Sequence, residues 1–309
     1  MNKVIRIGTR ESQLAVWQAN LIKNLLKEKN IASELIYIKS EGDIDLITPL
    51  YEMGVQGVFT RSLDAALLNN RIDIAVHSMK DVPTQLPEGI IQSAVLPRAS
   101  YKDILVYKDG WLKLNAEMED ASIPFTIATS SIRRKAQWLN RYPHHTIENL
   151  RGNVNTRLQK TNDSNWNGAI FAAAGLERIN LRPKNSINLE WMLPAPAQGA
   201  IMVVCRKDDK LCFDACHDLN DSHTAICTKI ERDFLRTLLG GCSTPISALA
   251  IIENDQIIFS GNICSVDGKY KVEVNKTFAL TEADNAGTTA ATEVLQNGGQ
   301  AIVNAIKNV

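Results

Sequence analysis

The chain has 309 residues, 45% of them apolar and 22% charged, which is enough to fill more than one packed core. Lysine plus arginine and aspartate plus glutamate number 34 each, so no global field draws the protein to nucleic acid or an anionic membrane, and any anion chemistry has to come from local clustering. The six cysteines (Cys205, Cys212, Cys216, Cys227, Cys242 and Cys264) are too few and too irregular for a disulfide framework, and reduced thiols are expected.

The N-terminus, Met-Asn-Lys-Val-Ile-Arg-Ile-Gly, alternates in polarity and lacks the long apolar region of a secretion signal. No stretch approaches the roughly 18 uninterrupted apolar residues of a membrane span. A soluble, cytoplasmic protein is expected. Val4 to Gly8 reads as a strand, Thr9-Arg10-Glu11-Ser12 as a polar turn, and Leu14, Trp17, Leu21, Ile22, Leu25 and Leu26 as the apolar face of a helix. Leu35 to Ile38 predicts a strand, Leu63 to Leu68 a helix, and Ile72 to Val76 a strand running into His77-Ser78-Met79-Lys80-Asp81. This alternation predicts a parallel sheet flanked by helices.

A second set begins near Asp103, with strands at Ile104 to Tyr107, Phe125 to Ala128 and Ala169 to Ala172, and helices from about Ile132 and over Val154 to Gln159. Ile201 to Cys205, after the turn Leu193-Pro194-Ala195-Pro196, is a strand able to return to the first sheet. From Asp221 a long helix with Ile226, Ile230, Leu235 and Leu238 precedes short strands punctuated by hairpin turns at Asn254-Asp255 and Asp267-Gly268, and a helical stretch from about Ala283 to Ile306 closes the chain. The predicted class is therefore α/β, as two α/β domains with a smaller C-terminal α+β domain. Residues 1–98 with 200–218 form the first, 99–199 the second and 219–309 the third. Cys212, Cys216, His217 and Cys227 lie close in sequence but not at a recognised zinc spacing, so packing is their expected role and no metal is expected.

Residues 129 to 182 hold nine basic side chains (Arg133, Arg134, Lys135, Arg141, Arg151, Arg157, Lys160, Arg178 and Arg182) against three acidic ones (Glu148, Asp163 and Glu177). Arg133 and Arg134 follow Thr129-Ser130-Ser131 between a strand and a helix, where hydroxyls and free helix N-terminal amides bind anions. Arg151 opens Arg-Gly-Asn-Val-Asn-Thr-Arg at another helix start, with Gly152 permitting close backbone approach. A single arginine is usually a solvated surface charge. Two strand-to-helix turns with arginines, at the edge where open α/β sheets bind ligands, point instead to a ligand with several anionic groups. Asp81 is a lone acid at the matching edge of the first domain. It either caps its turn or pairs with a neighbouring cation, or it stabilises positive charge that develops in a reaction. Cys242 stands in a glycine-rich loop, Leu239-Gly240-Gly241-Cys242-Ser243-Thr244-Pro245. Incidental burial is the usual fate of a cysteine, whereas a tethering role needs thiolate character.

Five segments in order, Ile7 to Ala15, Val76 to Pro83, Thr129 to Arg134, Leu150 to Arg157 and Gly240-Gly241-Cys242, closely resemble the hydroxymethylbilane synthase (porphobilinogen deaminase) family. The resemblance runs from residue 5 to about residue 250. It implies two domains like those of periplasmic binding proteins, a third carrying the cysteine, and a cytoplasmic, monomeric transferase of tetrapyrrole and haem biosynthesis. That enzyme condenses four porphobilinogen molecules head to tail, releases ammonia, and frees the linear tetrapyrrole by hydrolysis. It further implies a dipyrromethane cofactor joined to Cys242 by a thioether, and Asp81 as the catalytic residue. Arg10, Ser12, Lys80, Thr129, Ser131, Arg133, Arg134, Arg151, Gly152, Arg157, Arg178 and Gln198 match family positions that bind cofactor or substrate, with Arg10, Arg133, Arg134 and Arg151 the foremost carboxylate binders. Lys80 has a second reading as a partner for Asp81.

Two departures stand out. The family commonly has Gly-Gly-Lys-Gly where this chain has Gly54-Val55-Gln56-Gly57, which removes a cation, and Pro-Ala-x-Gly-Gln-Gly where it has Pro194-Ala195-Pro196-Ala197-Gln198-Gly199, which predicts a stiffer crossing between domains. Neither touches Asp81 or Cys242, so retained activity is expected.

Overall fold

The computed structural model describes residues 3–39, 60–108, 110, 115, 118–238 and 244–307. Cys242 and Gly54-Val55-Gln56-Gly57 lie outside the described residues. In chain order, β1 (Ile5–Thr9) leads into α1 (Gln13–Glu28), which packs Ala19, Ile22 and Leu26 onto Ile5, Ile7 and Ile74 because those positions recur on one helical face. Next come β2 (Ser33–Tyr37), α2 (Arg61–Leu68), β3 (Ile74–Ser78) and β4 (Ile90–Val95). The chain then forms β5 (Asp103–Tyr107), β6 (Thr126–Ala128), α3 (Ile132–Arg141), β7 (Thr146–Glu148), α4 (Val154–Asp163), β8 (Gly168–Ala172), α5 (Ala173–Glu177) and β9 (Ser186–Asn188). It ends with β10 (Ile201–Arg206), α6 (Lys210–His217), α7 (Ser222–Leu238), β11 (Ile246–Glu253), β12 (Gln256–Cys264), β13 (Lys271–Ala279), α8 (Ala283–Val294) and α9 (Gln300–Lys307).

Among the described residues these strands form three sheets, ordered β2-β1-β3-β10-β4, β7-β6-β8-β5-β9 and β11-β12-β13. The α/β character of the first two and the α+β character of the last agree with the expected class. The expectation of parallel sheets is corrected, because both five-stranded sheets are mixed. β10 runs antiparallel to β3 and β4, and β5 antiparallel to β8 and β9. The register gives the reason. Ile201, the first residue of β10, sits opposite Ser78, the last of β3, and Asp103, the first of β5, sits opposite Ala172, the last of β8. Each inserted strand starts at a crossing between the sheets, and both crossings lie at the carboxyl ends of the parallel strands.

The two crossings touch. Ala99 N donates to Gly199 O at 3.1 Å, and a Cβ on Gly199, whose φ is +89°, would stand 2.6 Å from Ala99 O. Ala197 holds a left-handed φ of 62° that a glycine takes without strain. Its methyl is fully buried beside Met79, Val82 and Met202, and its N–H donates to Glu231 at 2.6 Å, which together offset that strain. The same Glu231 carboxylate takes two bonds from Arg98, at 2.6 and 3.0 Å, so α7 is locked to both crossings.

In the third sheet, Asn254 and Asp255 both take positive φ, 50° and 59°, as a two-residue hairpin requires, whereas β12 and β13 are joined by a longer turn through Gly268. The single closing helix expected from 283 to 306 is broken at Gly298, where φ is 105°. Cys212 and Cys216 pack into the first sheet's core and Cys227 into the third's, so the clustering in sequence does not persist in space. Burial raises all five described thiols: Cys205, Cys227 and Cys264 to about 11, and Cys212 and Cys216 to about 12. Among the described residues, no helix is long and apolar enough to cross a membrane.

Candidate active site

The site grows from the carboxyl ends of β1, β3 and β6 and from the loop after β7. After Ser78 the chain makes one tight turn, Met79–Asp81, fixed by Met79 N to Ala200 O at 3.0 Å and Val82 N to Met79 O at 3.1 Å. Asp81 is exposed at the end of that turn. Lys80 is half-buried and donates to Oε1 of Gln198 at 3.3 Å, with Asp81 within electrostatic reach. Burial is the main reason that Lys80 is lowered to about 8, and Arg134 and Arg133 add to it against Asp81 and Asp103. Arg10 lies in the β1–α1 turn. Ser12 occupies the N-cap position of α1 with extended backbone, yet its Oγ makes no capping bond and is buried with no hydrogen-bond partner.

In the second sheet's loops the hydroxyls are spent on local structure. Thr129 Oγ1 accepts from Ser131 N at 3.2 Å, and Ser131 Oγ caps α3 by accepting from Arg134 N at 3.4 Å. Ser130 Oγ accepts from Leu150 N at 3.0 Å, which ties the turn after β6 to the turn carrying Arg151. Gly152 has a φ of +114°, and a Cβ there would meet the Thr156 side chain at 2.8 Å. Asn153 then caps α4 through Thr156 N at 2.9 Å, and Gly152 O receives Nε of Arg157 at 2.7 Å. Arg151 is 3% exposed, so this turn holds a buried guanidinium and steers a second one.

Asp103, which the sequence presents only as the first residue of an apolar strand, is the hub of the crossing. It is fully buried and takes Arg133 Nη2 at 2.7 Å on one oxygen. On the other it takes Arg134 at 2.7 Å and Gln198 Nε2 at 2.9 Å. Gln198 also donates to Tyr101 O at 2.8 Å, so its amide links Lys80 to Asp103 rather than standing open to a ligand. Despite complete burial Asp103 is lowered to about 2, because the two guanidinium groups outweigh desolvation. The signal that could have revealed it is a carboxylate leading a strand that is otherwise Ile104-Leu105-Val106: a buried acid needs a cation.

Arg178 donates to Gly199 O at 2.7 Å, and its guanidinium lies 5.8 Å from the centre of the Trp17 ring, bridging the crossing to α1. Burial lowers it to about 10. Arg157 is lowered to about 10, first by burial and then by repulsion from Arg134, Arg151 and Arg10, against which Asp81 acts. Its surroundings therefore bring residues from four separate motifs into one electrostatic neighbourhood. His77, buried at the end of β3, is pushed down to about 4 by burial and by Arg10, and its Nε2 has no hydrogen-bond partner.

The structure thus brings Arg10, Asp81, Arg134, Arg151 and Arg157 together, with Lys80 adjoining. It commits Arg133, Arg134 and Gln198 to Asp103, with Nη1 of Arg134 on Ile170 O at 2.9 Å, and Arg178 to the crossing. Four clustered guanidinium groups against one exposed carboxylate, with Ser12 Oγ buried and unbonded, fit a group carrying several carboxylates.

Family models match over most of the chain: residues 5–214 match "porphobilinogen deaminase, dipyromethane cofactor binding domain" and residues 225–296 match "porphobilinogen deaminase, C-terminal domain". The chain is 38% identical over 315 residues to the porphobilinogen deaminase of Chlorobium phaeobacteroides (strain BS1), with 99% of each covered. It is 39% identical over 306 residues to that of Maridesulfovibrio salexigens, with 98% of each covered. Among solved structures, an ancestral cationic amino acid solute binding protein is similar at 15% identity and a TM-score of 0.45, covering 70% of this chain and 87% of that one. On the extent of the family match and of the identity to these relatives, the chain belongs to the porphobilinogen deaminase family.

Proposed function

We infer that the protein is a hydroxymethylbilane synthase, a transferase of tetrapyrrole biosynthesis that condenses four porphobilinogen molecules and releases the linear tetrapyrrole by hydrolysis. The observation that carries the reading beyond family membership is the meeting of Arg10, Arg134, Arg151 and Arg157 around a site with one exposed carboxylate, Asp81. Each porphobilinogen carries an acetate and a propionate, so every addition brings two more negative charges, which matches an excess of guanidinium better than a single-anion ligand does.

Each cycle breaks the C–N bond of a substrate aminomethyl group, releases ammonia and joins that carbon to the free α-carbon of a pyrrole, which loses a proton. Asp81 is the catalytic residue in this reading. Its carboxylate accepts pyrrole N–H bonds, opposes the positive charge that develops as ammonia leaves, and relays the proton. Arg10, Arg151 and Arg157 hold the side-chain carboxylates beside Ser12, and Arg133 and Arg134, bound to Asp103, add positive charge behind them. Lys80, Gln198 and Arg178 keep the crossing in place, and Thr129, Ser131 and Gly152 shape the turns. The dipyrromethane cofactor, held by a thioether to Cys242, supplies the first free α-carbon and the covalent anchor. The five described cysteines are buried in packed cores, where burial raises their thiols, so none of them is suited to carry the attachment. The domain division 1–98 with 200–218, 99–199 and 219–309, a monomeric state and a cytoplasmic location belong to the same proposal.

Incubation with porphobilinogen tests the reading. It requires one ammonia released per molecule consumed and a linear tetrapyrrole product. Saturable binding without ammonia release would make the protein a binding module instead.

A further inference from the structure

We propose that Arg232 is a positioning residue that sets the place of the Asp81 carboxylate by holding the backbone of the turn that carries it. Arg232 projects from α7 and is 9% exposed. Its Nη1 donates to Val82 O at 2.9 Å and Met79 O at 3.3 Å, and its Nη2 donates to Pro83 O at 2.5 Å. These carbonyls bracket Asp81 on both sides along the chain. One planar guanidinium therefore spans the turn from the last residue before Lys80 to the second residue after Asp81.

The turn needs such a support. β3 ends at Ser78, so the ladder to β10 stops before Lys80. Asp81 is exposed and gains no position from packing, and Pro83 has no N–H with which to anchor the exit. Met79 and Val82 are seated in the core beneath the turn, and Val82 N holds Met79 O at 3.1 Å, while Arg232 adds a side-chain clasp that reaches past Asp81 to Val82 O and Pro83 O. A guanidinium directs several donors in a fixed fork, whereas an ammonium is a single point on a flexible stem. α7 itself is fixed independently, through Glu231 to Arg98 and to Ala250 N at 2.8 Å, so Arg232 transmits the position of a rigid element to the turn.

The proposal rests on Asp81 being the catalytic residue. That reading fails separately, if Asp81→Asn turns over normally, whatever Arg232 variants do. The test uses cofactor-loaded enzyme carrying Arg232→Lys or Arg232→Met, alone and with Asp81→Glu. A displaced carboxylate predicts a kcat lower by about 10- to 100-fold, as a misplacement of roughly 1 Å produces. The KM for porphobilinogen stays within about twofold, because the groups that bind substrate carboxylates do not move. In the Asp81→Glu background, where the carboxylate is already misplaced, Arg232→Lys costs less than about threefold more, since residues acting through one group are not additive. A folded Arg232→Lys enzyme with normal kcat, or a full multiplicative loss on top of Asp81→Glu, overturns the proposal. Arg232→Lys keeps charge and helix propensity and carries the test if the methionine variant fails to fold. A lysine variant that also fails to fold assigns Arg232 to fold assembly and equally overturns it.

Discussion

Arg134 donates to a single oxygen of the Asp103 carboxylate through both Nε, at 3.1 Å, and Nη2, at 2.7 Å, where both side chains are buried. With Arg133 on the other oxygen, one carboxylate balances two guanidinium groups. Removing that charge with little change in shape, as in Asp103→Asn, leaves two buried cations without their counter-ion and should cost about 3–5 kcal/mol of unfolding free energy at pH 7. Asp103 is held at about 2, below the ordinary carboxylate value of 3.8, so the charge-dependent part of this contribution is present above about pH 4 and is lost as pH falls toward 2. Urea titrations of both proteins at several pH values should show the gap narrowing below pH 4. A gap that stays constant with pH would rule out the ion pairs as its source.

Asp64 gives the opposite sign. Desolvation in the first turn of α2 raises it to about 6, against a hydrogen bond with Thr60 that lowers it. The fold prefers the protonated acid, so its contribution is full below the unfolded value of 3.8 and is lost as pH rises through about 6. Asp64→Asn should therefore stabilise the protein by about 1–2 kcal/mol at pH 8 and by little at pH 4. Thermal unfolding at the two pH values checks this, and a variant less stable than its parent at pH 8 would contradict it.

Gly152→Ala tests whether the turn holding Arg151 and Arg157 depends on its backbone geometry. The φ of +114° and the 2.8 Å approach to Thr156 make any side chain strained there, at roughly 1–3 kcal/mol. Because Gly152 O also anchors Arg157, the substitution should raise the KM for porphobilinogen as well as lower the unfolding temperature. A stability loss with an unchanged KM would separate the turn from substrate binding.

Much of the architecture is legible in the sequence because the signals are local. The helices from about Ile132 and Val154 stand where expected, with Ser131 and Asn153 as their caps, the Asn254-Asp255 hairpin follows from residues that tolerate positive φ, and the buried strands from apolar runs. The direction of β5 and β10 is not local, since it depends on crossings that meet at Ala99 and Gly199, a contact across 100 residues of chain. The same limit applies to the site. Arginines at strand-to-helix turns mark an anion-binding edge, but nothing near Arg133 or Arg134 in sequence reveals that Asp103 occupies them. Nor does anything near Asp81 reveal Arg232, which approaches from α7.

The intact mass of the purified protein tests the central claim most directly. A synthase primed through Cys242 should be heavier than its sequence by two porphobilinogen units less two molecules of ammonia, and Cys242→Ala should have the bare sequence mass. A wild-type protein at bare mass that porphobilinogen cannot shift, or an adduct that persists in Cys242→Ala, would contradict the account.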